Sequence, residues 1–205
     1  MKYNLLLIFL FNWGLTFSQN FNLTSNNPEP RMGQEFEVSG YLNDTLTNVR
    51  FSNILKIRNI ARVEGLNFIG PLSININGKT YLSDTLSINV IEEIDKAEDG
   101  IWIRYVNFQN KNFIIIEQIV NAKPRRESEN KVTFDNQDVT FAELDLSKFN
   151  SNKIKIWNPA SNSSFGYKRW LYQYQKKEGY EPIILDKKYF KNLPKKVKID
   201  EVVLE

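Results

Sequence analysis

The chain has 205 residues, with 27 Lys and Arg against 24 Asp and Glu, no histidine and no cysteine. Hydrophobic residues make up 41% and charged residues 25%, a globular balance. The missing histidine excludes Ser-His-Asp and Cys-His catalysis and imidazole metal sites. The missing cysteine excludes thiolate nucleophiles, disulfides, iron–sulfur clusters and thiolate zinc.

Residues 1–19 have the layout of a secretory signal peptide: Lys2 near the start, an apolar run LLLIFLF over 5–11, and a polar Ser18-Gln19-Asn20. The run is shorter than the roughly 20 residues that span a bilayer. With no cysteine after it, lipid anchoring at that residue is excluded. The expectation is an exported, soluble chain cleaved near Gln19-Asn20, periplasmic or secreted, without a transmembrane anchor. Three N-x-[ST] sequons, at Asn22, Asn43 and Asn162, matter only where glycosylation occurs.

From 20 to 94 the apolar period is two. Phe36 and Val38 alternate with Glu35 and Glu37, Ile74 and Ile76 with Ser73, Asn75 and Asn77, and Leu86, Ile88 and Val90 with polar neighbours. Such alternation marks strands with one buried face. Asn77-Gly78 predicts a two-residue hairpin turn pairing 74–76 with 79–81. The spacing predicts a small β-sandwich. Residues 95–100 follow as an acidic linker, within five acids over 92–99. Asp95, Glu98 and Asp99 are hard oxygen donors, but their spacing matches no EF-hand calcium loop.

The module at 101–205 is predicted to open with strands over 101–108 and 113–120, turning at 110–112. Residues 121–138 are polar without periodicity and read as a mobile loop. Thr140 and Glu143 have capping-box spacing, which predicts a short helix over 141–149, with a strand over 139–146 as the rival. A strand over 153–157, a loop over 158–164 and an aromatic strand over 167–175 follow. Asp186 caps a helical turn before Pro194, and 197–204 closes as a strand. The fold class is mainly β: an immunoglobulin-like sandwich, then a β-rich (α+β) module with one or two short helices.

Residues 68–90 read FIGPLSININGKTYLSDTLSINV. This resembles the closing hairpin of the first immunoglobulin-like domain of BatD-type proteins, the oxygen-tolerance (Bacteroides aerotolerance) family. The positions are Ile69-Gly70-Pro71, the alternating 74–77, Gly78-Lys79, Ser83 and the strand 86–90. Gly33-Gln34-Glu35-Phe36-Glu37-Val38 resembles that domain's opening strand, so the likeness covers about 30–91. It implies a non-catalytic periplasmic β-domain that binds other proteins. Family members associate with membrane complexes of von Willebrand A-domain and tetratricopeptide-repeat partners. The family's C-terminal membrane helix has no counterpart in this sequence.

Charge is segregated. Residues 21–147 hold 13 basic and 18 acidic residues, whereas 148–198 hold 13 basic and 3 acidic. The basic segment carries the candidate binding residues Trp157, Tyr167, Lys168, Arg169, Trp170, Tyr172 and Tyr174. Basic residues interleaved with rings suit an anionic partner by stacking and charge. For an exported chain that means an envelope protein, an anionic lipid or an acidic glycan rather than nucleic acid. Along a strand, Trp170, Tyr172 and Tyr174 share a face with Lys168 at one end. They form either a core or a binding face, and burial is favoured because the other face offers only Leu171 and Tyr167.

No catalytic residue, metal site or cofactor is assigned. Carboxylates at Glu143 and Asp145, or Glu178 and Glu181, have no motif to fix them as an acid/base pair. Ser161, Ser163 and Ser164 lack a nucleophile elbow. Glu117 interrupts FIIIEQIV and reads as a residue on the strand's wet face, with a buried carboxylate as the functional alternative. The leading expectation is an exported interaction protein of the cell envelope. The alternative is a carbohydrate-binding or glycosidase-like domain with Trp157, Trp170 and the tyrosines as a sugar platform.

Overall fold

The structure is a computed structural model and describes residues 19–44, 49–94, 99–120, 124–128, 131–134, 141–149, 152–157, 159–162, 166–195, 197 and 199–205. Most of the expected signal segment, Asp95 and Glu98 of the acidic linker, and Thr140 of the expected capping box lie outside the described residues. The chain is mainly β and divides into two compact units, Met1–Glu93 and Ile94–Glu205. No helix among the described residues is long and apolar enough to cross a membrane.

In the first unit β1 (Gln19–Ser25), β2 (Glu35–Asp44) and β3 (Val49–Ile60) form an antiparallel meander. β4 (Gly65–Ile69) pairs with β7 (Leu86–Val90), and β5 (Ser73–Ile76) pairs with β6 (Lys79–Leu82). The period-two pattern does what the sequence asks of it. Phe21, Leu23, Phe36, Val38, Leu42, Leu86, Ile88 and Val90 are buried, while the polar residues between the apolar ones on β7 face water.

Close packing sets Gly40. A Cβ there would stand 2.7 Å from the Phe21 ring, so β2 can lie against that ring only without a side chain at this point. A polar clamp joins the end of β2 to β6: buried Asp44 accepts from Lys79 Nζ at 2.8 Å and from the Tyr81 hydroxyl at 3.0 Å. The Asp44 contact raises the Lys79 pKa.

The 74–81 hairpin forms in the expected register, with Ile74 opposite Tyr81 and Ile76 opposite Lys79. Asn77 and Gly78 both have positive φ, 51° and 80°. A side chain at Gly78 meets no atom within 4 Å, so substitution acts on the backbone alone. Gly78→Val should cost about 1–3 kcal/mol, whereas Gly78→Asn should cost less because Asn tolerates this region. Urea denaturation checks both, and equal losses would place the strain elsewhere.

The second unit opens with β8 (Gly100–Phe108) and β9 (Lys111–Ile119). Their two-residue turn is Gln109-Asn110, both at positive φ, one residue earlier than the expected 110–112. The expected loop over 121–138 is corrected: β10 (Pro124–Ser128) and β11 (Lys131–Phe134) pair as a hairpin. Backbone pairing does not need the apolar periodicity that this stretch lacks.

The expected helix over 141–149 is also corrected. Glu143–Leu144 is a short strand, β12, followed by a 3-10 turn at Leu146–Phe149. A nine-residue helix is marginal by itself. Here Asp145 N donates instead to Tyr189 O at 2.7 Å, and Asp145 Oδ1 accepts from Ser147 N and Oγ.

β13 (Lys153–Ile156), β14 (Ala160–Asn162) and β15 (Tyr167–Gln175) follow, and β14 replaces part of the expected 158–164 loop by pairing with β15. β16 (Ile183–Leu185) precedes a 3-10 turn at Lys187–Tyr189, capped by Asp186 as expected. β17 (Phe190–Lys191) pairs with β12. β18 (Val202–Leu204) pairs with β16 and, among the described residues, is the only strand in the expected 197–204 span. The main sheet runs β13-β15-β9-β8, with β14 also on β15.

Candidate binding site

β15 and β9 pair over eight residues and bury both of their faces. On one face Trp170, Tyr172 and Tyr174 lie with Ile114, Ile116, Leu144, Phe149, Leu185 and Leu204 in the core. They are therefore not an exposed ring platform, because the returning strands β12, β16 and β18 supply the apolar cover. Lys168 sits at the end of this stack, its Nζ 4.7 Å from the Trp170 ring centre, 5.4 Å from that of Phe141 and 3.6 Å from Glu143 Oε1. It caps the core as a cation over ring faces.

The opposite face departs further from expectation. It holds more than Leu171 and Tyr167, since Phe113, Ile115, Ile119 and Leu171 are all buried there. Glu117 is fully buried rather than wet. Its carboxylate accepts from Arg104 Nη2 at 2.9 Å and from the Tyr167 hydroxyl at 2.8 Å. Arg169 stands opposite Glu117 in the β9–β15 register and is 6% exposed. Two guanidiniums thus share the field of one carboxylate. Burial lowers the Arg169 pKa, Tyr167 and Glu117 oppose that, and Arg104 adds to it.

What remains exposed is the outer strand. Among the described residues β13 pairs only with β15, and it presents Lys153, Lys155 and Ile156 to water. Trp157 follows it, 36% exposed, its ring tilted against Phe113 with centroids 4.9 Å apart and its backbone N–H donating to Leu171 O. Ile156 is 49% exposed. The structure keeps one of the four proposed rings besides Tyr167, namely Trp157, available on a lysine-bearing edge. Phe113, its platform, was not singled out by the sequence. Its signal was the apolar run FIIIEQIV, which marks a strand buried on both faces.

The carboxylates raised as an acid/base pair have local partners. Asp145 binds Ser147 and Lys191, which lower its pKa, while Glu143 faces Lys168. Glu178 and Glu181 are exposed. No family model, curated protein or solved structure matches the chain.

Two measurements follow from this geometry. Removing Glu117 leaves buried Arg169 and half-buried Arg104 near each other without their carboxylate, so Glu117→Ala should cost about 3–5 kcal/mol. Arg169→Met should cost clearly less, because Arg169 Nη1 is buried with no hydrogen-bond partner among the described residues. Urea denaturation of both variants tests this, and an equal or larger loss for Arg169→Met would refute it.

The second measurement is alkaline titration. Burial pushes the phenols of Tyr172 and Tyr105 up from 10.0 to about 12. A raised folded pKa contributes stability that is fully present below the unfolded value. It is lost as pH rises from 10 toward about 12. Phenolate absorbance should show these two groups ionising near pH 12, with stability falling over the same window.

Proposed function

We propose that this chain is an exported, non-catalytic interaction protein of the cell envelope, akin to the oxygen-tolerance (BatD) family it resembles. It holds an acidic partner protein along β13 and Trp157. The observation that carries this reading is the exposed Trp157, seated on Phe113 on the face that also holds Lys153 and Lys155. A tryptophan fixed on a buried ring loses little freedom on binding, and lysines beside it steer and orient a negatively charged surface. The charge count supports the same end of the chain, with 13 basic residues against 3 acidic over 148–198. A platform of several rings for sugars loses its support, since Trp170, Tyr172 and Tyr174 lie in the core.

The test starts from protein recovered from the envelope fraction, with its N-terminus at or near Asn20. Binding to an acidic envelope protein isolated on the wild-type chain is then compared with two variants, Trp157→Ala and Lys153→Glu/Lys155→Glu. Each should weaken binding at least about tenfold, a change of 1.4 kcal/mol, with little change in melting temperature. Trp170→Ala should instead unfold the second unit, as a buried Trp→Ala costs about 3–5 kcal/mol. Unchanged binding by both surface variants would sink the reading. Equal loss on anionic vesicles without protein would move the partner to a lipid surface.

A further inference from the structure

We propose that the first unit pairs with a second copy of itself, edge to edge through β4, with Asn67 opposite Asn67 of the other copy. Among the described residues β4 pairs only with β7, so no strand covers its other edge, although Gly65 O and, just before the strand, Val63 O accept from Asn67 Nδ2. Proteins usually guard such an edge with Lys, Pro or a bulge. This chain does so on β13, through Lys153 and Lys155, but the five residues of β4, Gly-Leu-Asn-Phe-Ile, hold no charge and no proline.

The side chains add an apolar surface to that open edge. Leu66 and Phe68 are 61% and 63% exposed. They point to one face, opposite Asn89 and Ser87 of β7, which are themselves exposed and do not cover them. Val63, just before the strand, is exposed too.

The strand is complementary to itself. An antiparallel pairing centred on Asn67 sets Leu66 against Phe68 of the other copy, twice over, as one exposed aliphatic–aromatic pair on each side of the axis. Such cross-strand pairs are among the favourable ones. Outside the strand, Glu64 falls opposite Gly70 and Arg62 opposite Leu72, so the register opposes no like charges. The first unit is also nearly balanced, with 6 basic and 8 acidic residues over 20–93. A two-fold contact of this kind uses the same edge on both copies and closes at the dimer. Five residues a side give a small interface, so the dimer belongs to the weak, concentration-dependent class.

Sedimentation of the chain from residue 20 onward, over roughly micromolar to submillimolar concentration, tests the proposal. The wild type should pass from monomer to dimer. Leu66→Lys should raise the dissociation constant at least about tenfold without lowering the melting temperature. Phe68→Lys takes its place should that variant lose stability. Leu66→Lys/Phe68→Glu should restore the dimer, because the new Lys and Glu face each other across the axis only in this register. A wild type that stays monomeric overturns the proposal. So does a dimer indifferent to Leu66→Lys, or a double variant no better than the single one. A monomer whose exposed edge takes up a strand of another protein, lost with Leu66→Lys, overturns it in favour of a foreign strand. None of these readouts involves Trp157, so the partner site on β13 stands or falls separately.

Discussion

Pairing of β9 with β15, Tyr167 against Ile119 through Tyr174 against Asn112, fixes nearly everything else in the second unit. Because side chains alternate along a strand, this single register assigns each residue to a face. It sends Trp170 with Ile116 and Tyr172 with Ile114 into the apolar core. It sends Arg169 with Glu117 and Leu171 with Ile115 to the other side. A slip of β15 by one residue would bring Arg169 onto the apolar face of Ile114 and Ile116 and turn Trp170 and Tyr172 onto the face of Glu117. The cost of exchanging these faces makes the register exclusive, and β8, β13 and β14 then add to the two strands as a frame.

The polar face illustrates how a charge is kept inside a sheet. Glu117 is tolerated because Arg104 reaches it from β8 and Tyr167 from β15, so both carboxylate oxygens have donors. Buried ion pairs seldom add much net stability over apolar packing. What this one contributes is discrimination, since only the observed strand alignment brings Arg104, Glu117 and Tyr167 together. The same sheet leaves its outer strand wet, and the lysines there keep that edge from joining other sheets while giving the unit its positive surface.

Much of the fold was legible where one face is wet. The alternations at 36–38, 74–76 and 86–90, and the Asn77-Gly78 turn, each act locally, so sequence alone carries them. The aromatic strand 167–175 appeared with its bounds intact. What stayed hidden depends on distant partners. Leu144 and Phe149 reach the core through a two-residue strand and a 3-10 turn as readily as on a helix face, and only Phe190 opposite Leu144 decides between them. The 124–134 hairpin joins by backbone groups that sequence pattern does not register. Glu117 looked wet because its donors lie 13 and 50 residues away. For the candidate site, the residue types were visible but their depth was not. Trp157 and Trp170 look alike in a basic segment, and strands β12, β16 and β18 bury only the second.

Gly40 carries a consequence for how this sequence can drift. The Phe21 ring occupies the space that any side chain at 40 would need. Positions 21 and 40 sit on neighbouring strands, in facing but not identical register, since Leu23 is the residue opposite Gly40. They therefore form one evolutionary unit: a descendant that gains a methyl at 40 survives by shrinking the ring at 21, and one that keeps the ring must keep the glycine. Among divergent descendants these two sites should change together or not at all, a linked pair marking kinship where overall identity has faded.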